Sequence, residues 1–292
     1  MLDPAQLAAL AAIHRHGAFD RAAKELGVTP SAVSQRLKAL EERLGTRLII
    51  RGQPCTATPA GLRAIRHLDE ISLLEQDLAR DLPGLSAGPA VIRIAVNADS
   101  LATWILPALA LVPGALFDLV IDDQEVSQDW LIRGEVLGSI TAHPGPLQGC
   151  ETLPLGRLRY RATATPDFVA RHFPDGVTAD ALTRAPALRF NAKDLLQHRW
   201  AARETGGTVT RLPCHQLASA QGFVEAALLG LGWGLHAEAL VRDHLAAGRL
   251  VELKPETPLD TPLFWQFARL AGPALAPLTR AFRAEAARHL HP

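Results

Sequence analysis

Between Thr29 and Lys38 the chain places Thr29, Pro30, Ser31, Ser34, Gln35, Arg36 and Lys38 around the apolar positions Val33 and Leu37. On a helix starting at Pro30, these polar groups face solvent or a duplex. Short hydroxyl side chains at a helix N-terminus approach phosphates and base edges closely, and Gln35 carries the donor and acceptor pair that reads adenine. The chemistry on offer is recognition of DNA without any covalent step. Every amphipathic helix has a polar face, so the reading depends on what flanks it.

A second set of polar residues lies at the ends of expected strands. Asn97, Ser100, Thr103 and Trp104 fall where a strand passes into a helix, with hydroxyls and free backbone amides suited to a carboxylate. Asp122, Asp123 and Glu125 follow the next strand. An acid cluster in a loop usually caps the next helix, but facing a cleft it attracts a cation. Thr141, Phe190, Asp194 and Ser219 are further contact candidates, whereas Asp99 reads as a cap. A carboxylate site opposite acids describes an α-amino acid with a cationic side chain.

Nothing points to catalysis. Gly230, Gly232 and Gly234 lie before and within a strand, so they form no dinucleotide loop, and there is no GxSxG, HExxH or phosphate-loop lysine. Cys55, Cys150 and Cys214 form no CxxC pair, and His14 and His16 flank Arg15 at a helix end, where cations suit the dipole. We therefore expect no catalytic residues, no metal, and no cofactor beyond a small-molecule effector.

Several elements must position these groups. Asp3 and Pro4 start a first helix, 4–16; Phe19, Ala22, Ala23 and Leu26 space a second; Gly27 ends it, and Thr29 with Pro30 opens a third with Val33, Leu37, Leu40 and Leu44 inward. Residues 47–50 and 53–58 form a small wing, where Arg51 and Thr56 would touch the DNA backbone. Thr58 and Pro59 open a long helix whose seam, Leu62, Ile65, Leu68, Ile71, Leu74 and Leu78, asks for a partner helix. The alternative is that this seam packs on its own domain. Pro83, Gly84, Ser86, Gly88 and Pro89 form a breaker-rich hinge. Beyond it strand and helix alternate, as in parallel α/β layers: strands at 91–96, 116–121, 137–141, 160–164, 187–190, 212–216, 232–236 and 263–268, and helices at 101–111, 125–133, 166–173, 179–184, 220–229, 237–247 and 277–290.

The set Ala22, Ala23, Leu26, Val28, Ser31, Ala32, Val33, Ser34, Leu37, Leu40, Glu41, Leu44, Gly45, Leu48 and Arg51 resembles the DNA-binding domain of LysR-type transcriptional regulators. One departure is Ala18, where that family usually has Ser as a helix cap. Further similarity, in residues 92–109, 133–141, 173–186 and 212–215, is to the lysine- and arginine-responsive branch of the family, the ArgP/IciA and LysG group. Residues 122–130 depart from it. The resemblance implies an α/β multidomain chain. A winged helix-turn-helix (1–58), a linker and dimerisation helix (59–82) and a hinge (83–89) would lead to a two-lobed, periplasmic-binding-protein-like effector domain (90–292). Lobe one would be about 90–162 with 267–292, and lobe two about 163–266. It also implies double-stranded promoter DNA, a homodimer or homotetramer and RNA polymerase as partners, and activation of a basic amino acid exporter gene.

Charge agrees. Residues 1–68 hold ten Lys or Arg against five Asp or Glu, although the whole chain of 292 residues balances 30 of each. An electropositive head on an acidic body contacts phosphate at one end only. The opening residues lack a signal peptide and no run is long enough to span a bilayer, so a cytoplasmic protein without membrane contact is expected. Two alternatives remain: a LysR-type regulator for another small organic acid, and a nucleoid-type DNA binder without an effector.

Overall fold

The computed structural model describes residues 2–82, 91–125, 127–207, 209 and 211–292. The expected hinge at 83–89 lies outside them. Three helices come first, α1 (Pro4–His16), α2 (Phe19–Leu26) and α3 (Pro30–Leu44), followed by the ribbon β1 (Ile49–Ile50) and β2 (Thr56–Ala57). Asp3 and Thr29 accept the amides of Ala5 and Ala32, capping α1 and α3, each with proline in its first turn. α2 has no side-chain cap, the consequence of Ala18. Gly27 ends it at φ +64°, a conformation in which L side chains are strained. Leu7, Leu10, Ile13, Ala22, Ala23, Val33, Leu37 and Leu40 meet in one core. Leu44 departs from expectation: in the last turn of α3 it is 40% exposed, beyond the reach of that core.

Thr58 caps α4 (Pro59–Asp81), the long helix. A Cβ on Gly61 would lie 2.1 Å from the Leu48 carbonyl oxygen, so glycine lets the helix rest against the wing. The expected seam is divided in the structure. Ala64 joins the head core, with Ile65 and Leu68 packed on it, whereas Leu73, outside that seam, is buried in the large core of the α/β region. Leu74 and Leu78 remain half exposed, as does Leu82 just past the helix end. The alternative of packing within the chain therefore holds for α4 from Ala64 to Leu73, which bridges two cores.

Past the hinge, β3 (Val91–Val96), β4 (Leu116–Ile121) and β5 (Gly138–Thr141) run parallel in the order β5-β3-β4. Two long strands, β6 (Cys150–Ala164) and β11 (Leu259–Ala268), complete that layer antiparallel. The last residues of β6 also pair with β9 (Gly234–Ala237) and β10 (Val251–Glu252). β6 thus belongs to both lobes. The second lobe adds a parallel pair, β7 (Ala187–Arg189) with β8 (Cys214–Gln216), and a bridge from Ala187 to Trp233.

Helices cover these layers: α5 (Ala98–Ser100), a π turn (Leu101–Ile105), α6 (Leu106–Ala110), α7 (Ser127–Ile132) and α13 (Gly272–His289) on the first lobe. On the second lie α8 (Pro166–His172), α9 (Ala179–Arg184), α10 (Leu196–Thr205), α11 (Ala220–Leu228) and α12 (Glu238–Ala246). Four expectations change. β6 begins at Cys150 rather than Tyr160, absorbing Pro154 and Gly156 at a register shift opposite Leu263 and Phe264. β11 begins at Leu259 because β6 supplies its partners. α13 begins at Gly272 and runs through Pro277, since burial of Leu275, Leu278 and Phe282 outweighs one lost hydrogen bond. α10, an unexpected helix, carries no side chain capping from Leu195; Asp194 Oδ1 accepts the Leu196 amide instead.

Candidate DNA-binding surface and effector cleft

The first site is the outer face of α3 with the wing. Burial of Val33, Leu37 and Leu40 leaves Ser31, Ser34, Gln35 and Lys38 exposed in one strip, flanked by the half-buried Arg36. Thr29 accepts the Ala32 amide at 3.2 Å and keeps its hydroxyl hydrogen for a phosphate; Pro30 beside it is exposed. Glu41, on the inner side of α3, accepts the amides of Leu48 and Ile49 at 2.8 and 3.3 Å, fixing the wing to the recognition helix. The wing is held from behind as well, by Cys55 N to Gly17 O at 2.8 Å and Ala57 N to His14 Nδ1 at 3.2 Å. Burial, reinforced by Arg93, lowers the pKa of His14, which suits this acceptor role. Arg51 lies 5.7 Å from the centre of the Phe19 ring, and Thr56 is exposed on β2. All nine residues expected to touch DNA therefore lie on α3, its cap and the wing.

The second site is a cleft between the lobes. Its wall comes from the β3–α5 turn (Asn97, Ala98, Asp99), the β4–α7 loop (Asp122, Asp123, Gln124), the β7–α10 loop (Phe190, Asp194, Leu196) and Ala220, Phe223 and Leu235. Four carboxyl groups thus meet in one space. Burial pushes Asp99 up to about 6, against the Tyr160 hydroxyl donating to it at 3.0 Å; Asp194 and Asp123 push the same way. Burial also raises Asp123, despite the Glu125 amide at 2.8 Å. Asp194 accepts the amides of Phe190 and Leu196 at 2.9 and 3.0 Å. Among the described residues no cation stands within ion-pair distance of Asp99, Asp123 or Asp194. Asn97, 2% exposed, leaves both side-chain polar atoms without a protein partner. Such buried orphans are uncommon in native proteins and mark a place for a ligand or water.

Of the residues expected in this cleft, Asn97, Asp122, Asp123, Phe190 and Asp194 line it. Ser100 is fully buried with an unpartnered hydroxyl behind the wall, and Thr103 turns its hydroxyl back to the Asp99 carbonyl at 2.7 Å. Thr103 lies in the π turn at Leu101–Ile105, and neither it nor Ser100 is on the lining of this cleft. Trp104 is withdrawn too: it is fully buried, edge-on to Phe282 at 5.7 Å, in the core. Thr141 is buried and donates to the Gln124 carbonyl at 3.0 Å, holding the acid loop from below. Ser219 caps α11 through the Gly222 amide and lines a neighbouring groove. Asp99, expected as a cap, instead lines the cleft, and its Oδ2 accepts from the Tyr160 hydroxyl. Sequence reasoning also missed Gln124, Leu196, Phe223 and Leu235; Tyr160, the chain's one tyrosine, was the available signal for Asp99.

Among the described residues no three His, Cys, Asp or Glu converge closely enough to hold a metal ion. No helix among them is long and apolar enough to cross a membrane.

Known proteins match both parts of the chain. Residues 4–62 match the bacterial regulatory helix-turn-helix protein, lysR family, and residues 88–291 the LysR substrate binding domain. The HTH-type transcriptional regulator ArgP of Pseudomonas aeruginosa is 45% identical over 293 residues, 98% of this chain and 96% of that protein. The regulator LysG of Mycobacterium tuberculosis is 42% identical, over 98% of this chain and 94% of its own length. Among solved structures, ArgP from Mycobacterium tuberculosis superposes with a TM-score of 0.84 at 41% identity, covering 100% of this chain and 99% of that one. Full-length LysG from Corynebacterium glutamicum with bound effector Arg gives 0.72 at 38% identity, covering 99% and 100%. With both halves matched by family and full-length relatives this similar, the chain belongs to the LysR family: it is a DNA-binding transcriptional regulator, not an enzyme.

Proposed function

We propose that this regulator senses a basic amino acid, arginine or lysine, in the interlobe cleft and activates an amino acid exporter gene in response. One observation carries the sensing: Asp99, Asp123 and Asp194 line the same cleft, and among the described residues no cation is in direct ion-pair contact with them. Ionised acids in a partly dry site attract a guanidinium or ammonium group strongly and repel a dicarboxylate. Asn97 supplies one donor and one acceptor for the α-substituents, and the first turn of α11 reaches the wall at Ala220, where helix amides lack intrahelical acceptors. The arginine-bound LysG structure supports the same ligand class. Exporter activation rests on the resemblance to the lysine- and arginine-responsive branch.

In this reading the units are the head (1–58), the linker helix (59–82), the hinge (83–89) and the effector domain (90–292). The half-exposed Leu74, Leu78 and Leu82 pair with a second copy, giving a homodimer or homotetramer in the cytoplasm. Two recognition helices then meet half-sites about one turn, ~34 Å, apart, and RNA polymerase is the downstream partner. Ligand can shift the packing of the effector domains only by its differential affinity, typically ~1–3 kcal/mol. Calorimetric titration of the full chain tests the sensing. Arginine or lysine binds and citrate does not; binding of the organic acid alone would refute it. A reporter fused to the exporter promoter tests the regulation, rising with either amino acid.

A further inference from the structure

Two ion pairs cross the mouth of the cleft. Lys193 Nζ, in the β7–α10 loop of the second lobe, donates to both carboxylate oxygens of Asp122 at 3.1 and 3.2 Å. Arg199, on α10, donates to Glu125 at 2.8 Å. Both acids sit in the 122–125 loop of the first lobe, and each pair lies beside a lining acid, since Asp122 precedes Asp123 and Lys193 precedes Asp194. Asp122 is saturated. Besides Lys193, it accepts Trp130 Nε1 at 3.0 Å and the Asp123 amide at 2.9 Å, and its side chain is only 14% exposed. Burial works to raise this carboxyl, but the three sets of donors together hold it below the usual carboxylate range.

The acid loop is thus divided by function. Asp122 and Glu125 hold direct ion pairs with the chain's own cations, whereas Asp99, Asp123 and Asp194 line the interior without one among the described residues. We propose that Lys193 and Arg199 are positioning residues: they fasten the second lobe to the first, and by neutralising Asp122 and Glu125 they leave only the interior acids to choose the ligand. Opening the cleft separates two cations from two carboxylates, so both pairs add to the affinity of any ligand that needs the cleft closed. Competition between Lys193 and a ligand for Asp122 would predict the reverse, a tighter ligand once Lys193 is removed.

The consequence for binding rests on the sensing reading above; the fastening itself does not. In the full-length protein, Lys193→Gln weakens arginine about fivefold and Arg199→Gln about threefold, the upper range for exposed pairs because Asp122 is largely shielded. In an Asp122→Asn background Lys193→Gln has no further effect. Without added ligand, amide hydrogen exchange at 122–125 and 190–199 is faster in the Lys193→Gln, Arg199→Gln double variant. Lys193 is 55% exposed, so glutamine there leaves folding intact. Unchanged or tighter arginine binding in Lys193→Gln, the same loss in the Asp122→Asn background, or unaltered exchange overturns the proposal. If the parent protein takes up neither arginine nor lysine, the sensing reading fails alone, and exchange decides the fastening.

Discussion

Replacing Asp99 by Asn should make this protein more stable and blind to its effector, with both effects set by one carboxyl group. Asp99 is partly buried, and that burial moves its pKa from 3.8 to about 6. Between those values the folded chain binds a proton that the unfolded chain has released, so stability falls as pH rises through that window. Below about 4 there is no penalty, and above about 6 it is complete. A tenfold change in proton affinity is ~1.4 kcal/mol, so the penalty is about 3 kcal/mol at pH 7.5 and ~1 kcal/mol at pH 4.5. Asn has no charge to desolvate, and its Oδ1 still accepts from Tyr160. Urea denaturation should show Asp99→Asn gaining about 3 kcal/mol over the parent at pH 7.5 and ~1 kcal/mol at pH 4.5. A bound guanidinium would hold Asp99 ionised, so arginine affinity in the parent falls as pH drops below about 6, with proton uptake on release; the variant binds weakly and without that slope. A pH-independent stability gap, a variant less stable at pH 7.5, or arginine affinity within twofold of the parent would refute the reasoning.

Other expectations concern the head. Gln35→Ala removes a base contact worth about 1–3 kcal/mol of discrimination, so promoter binding falls while random duplex binding holds; equal losses on both in a gel-shift titration sink the base-reading role. Arg51→Gln weakens binding to every duplex and lowers the slope of log affinity against log salt by about 0.9, the mark of one lost phosphate contact. Gly61→Ala forces a Cβ to within 2.1 Å of the Leu48 carbonyl oxygen, a clash with backbone that cannot rotate away. Overpacking of about 1–3 kcal/mol exceeds the ~1 kcal/mol helix-propensity gain. Urea denaturation of the variant therefore shows a less stable head, and a more stable one would remove Gly61 as the close-approach site.

Local chemistry, read over a turn or two of chain, was decided by the sequence. Asp3 with Pro4, Thr29 with Pro30 and Thr58 with Pro59 mark three helix starts because a cap needs only its own next three residues. The spacing of Val33, Leu37 and Leu40 set which side of α3 is buried, and hence which residues face a duplex. The strands β3 and β4 were equally legible, being apolar runs between turn residues. Elements stabilised from outside were not. α10 is capped by a residue of the preceding loop, β6 and β11 are long because each supplies the other's partners, and Leu73 turns inward because the effector core lies against α4.

The cleft shows the same division more sharply. Its acid loop was visible at Asp122 and Asp123, but which carboxyls stay free for a ligand depends on partners 61, 71 and 74 residues away: Tyr160 on Asp99, Lys193 on Asp122 and Arg199 on Glu125. Ser100, Thr103 and Trp104 carried suitable groups, yet Ser100 and Trp104 are buried and Thr103, in the π turn, bonds back to the Asp99 carbonyl. Residue types settle what chemistry is possible at a position. Burial and charge compensation settle which of it occurs, and both arise only when distant segments pack together.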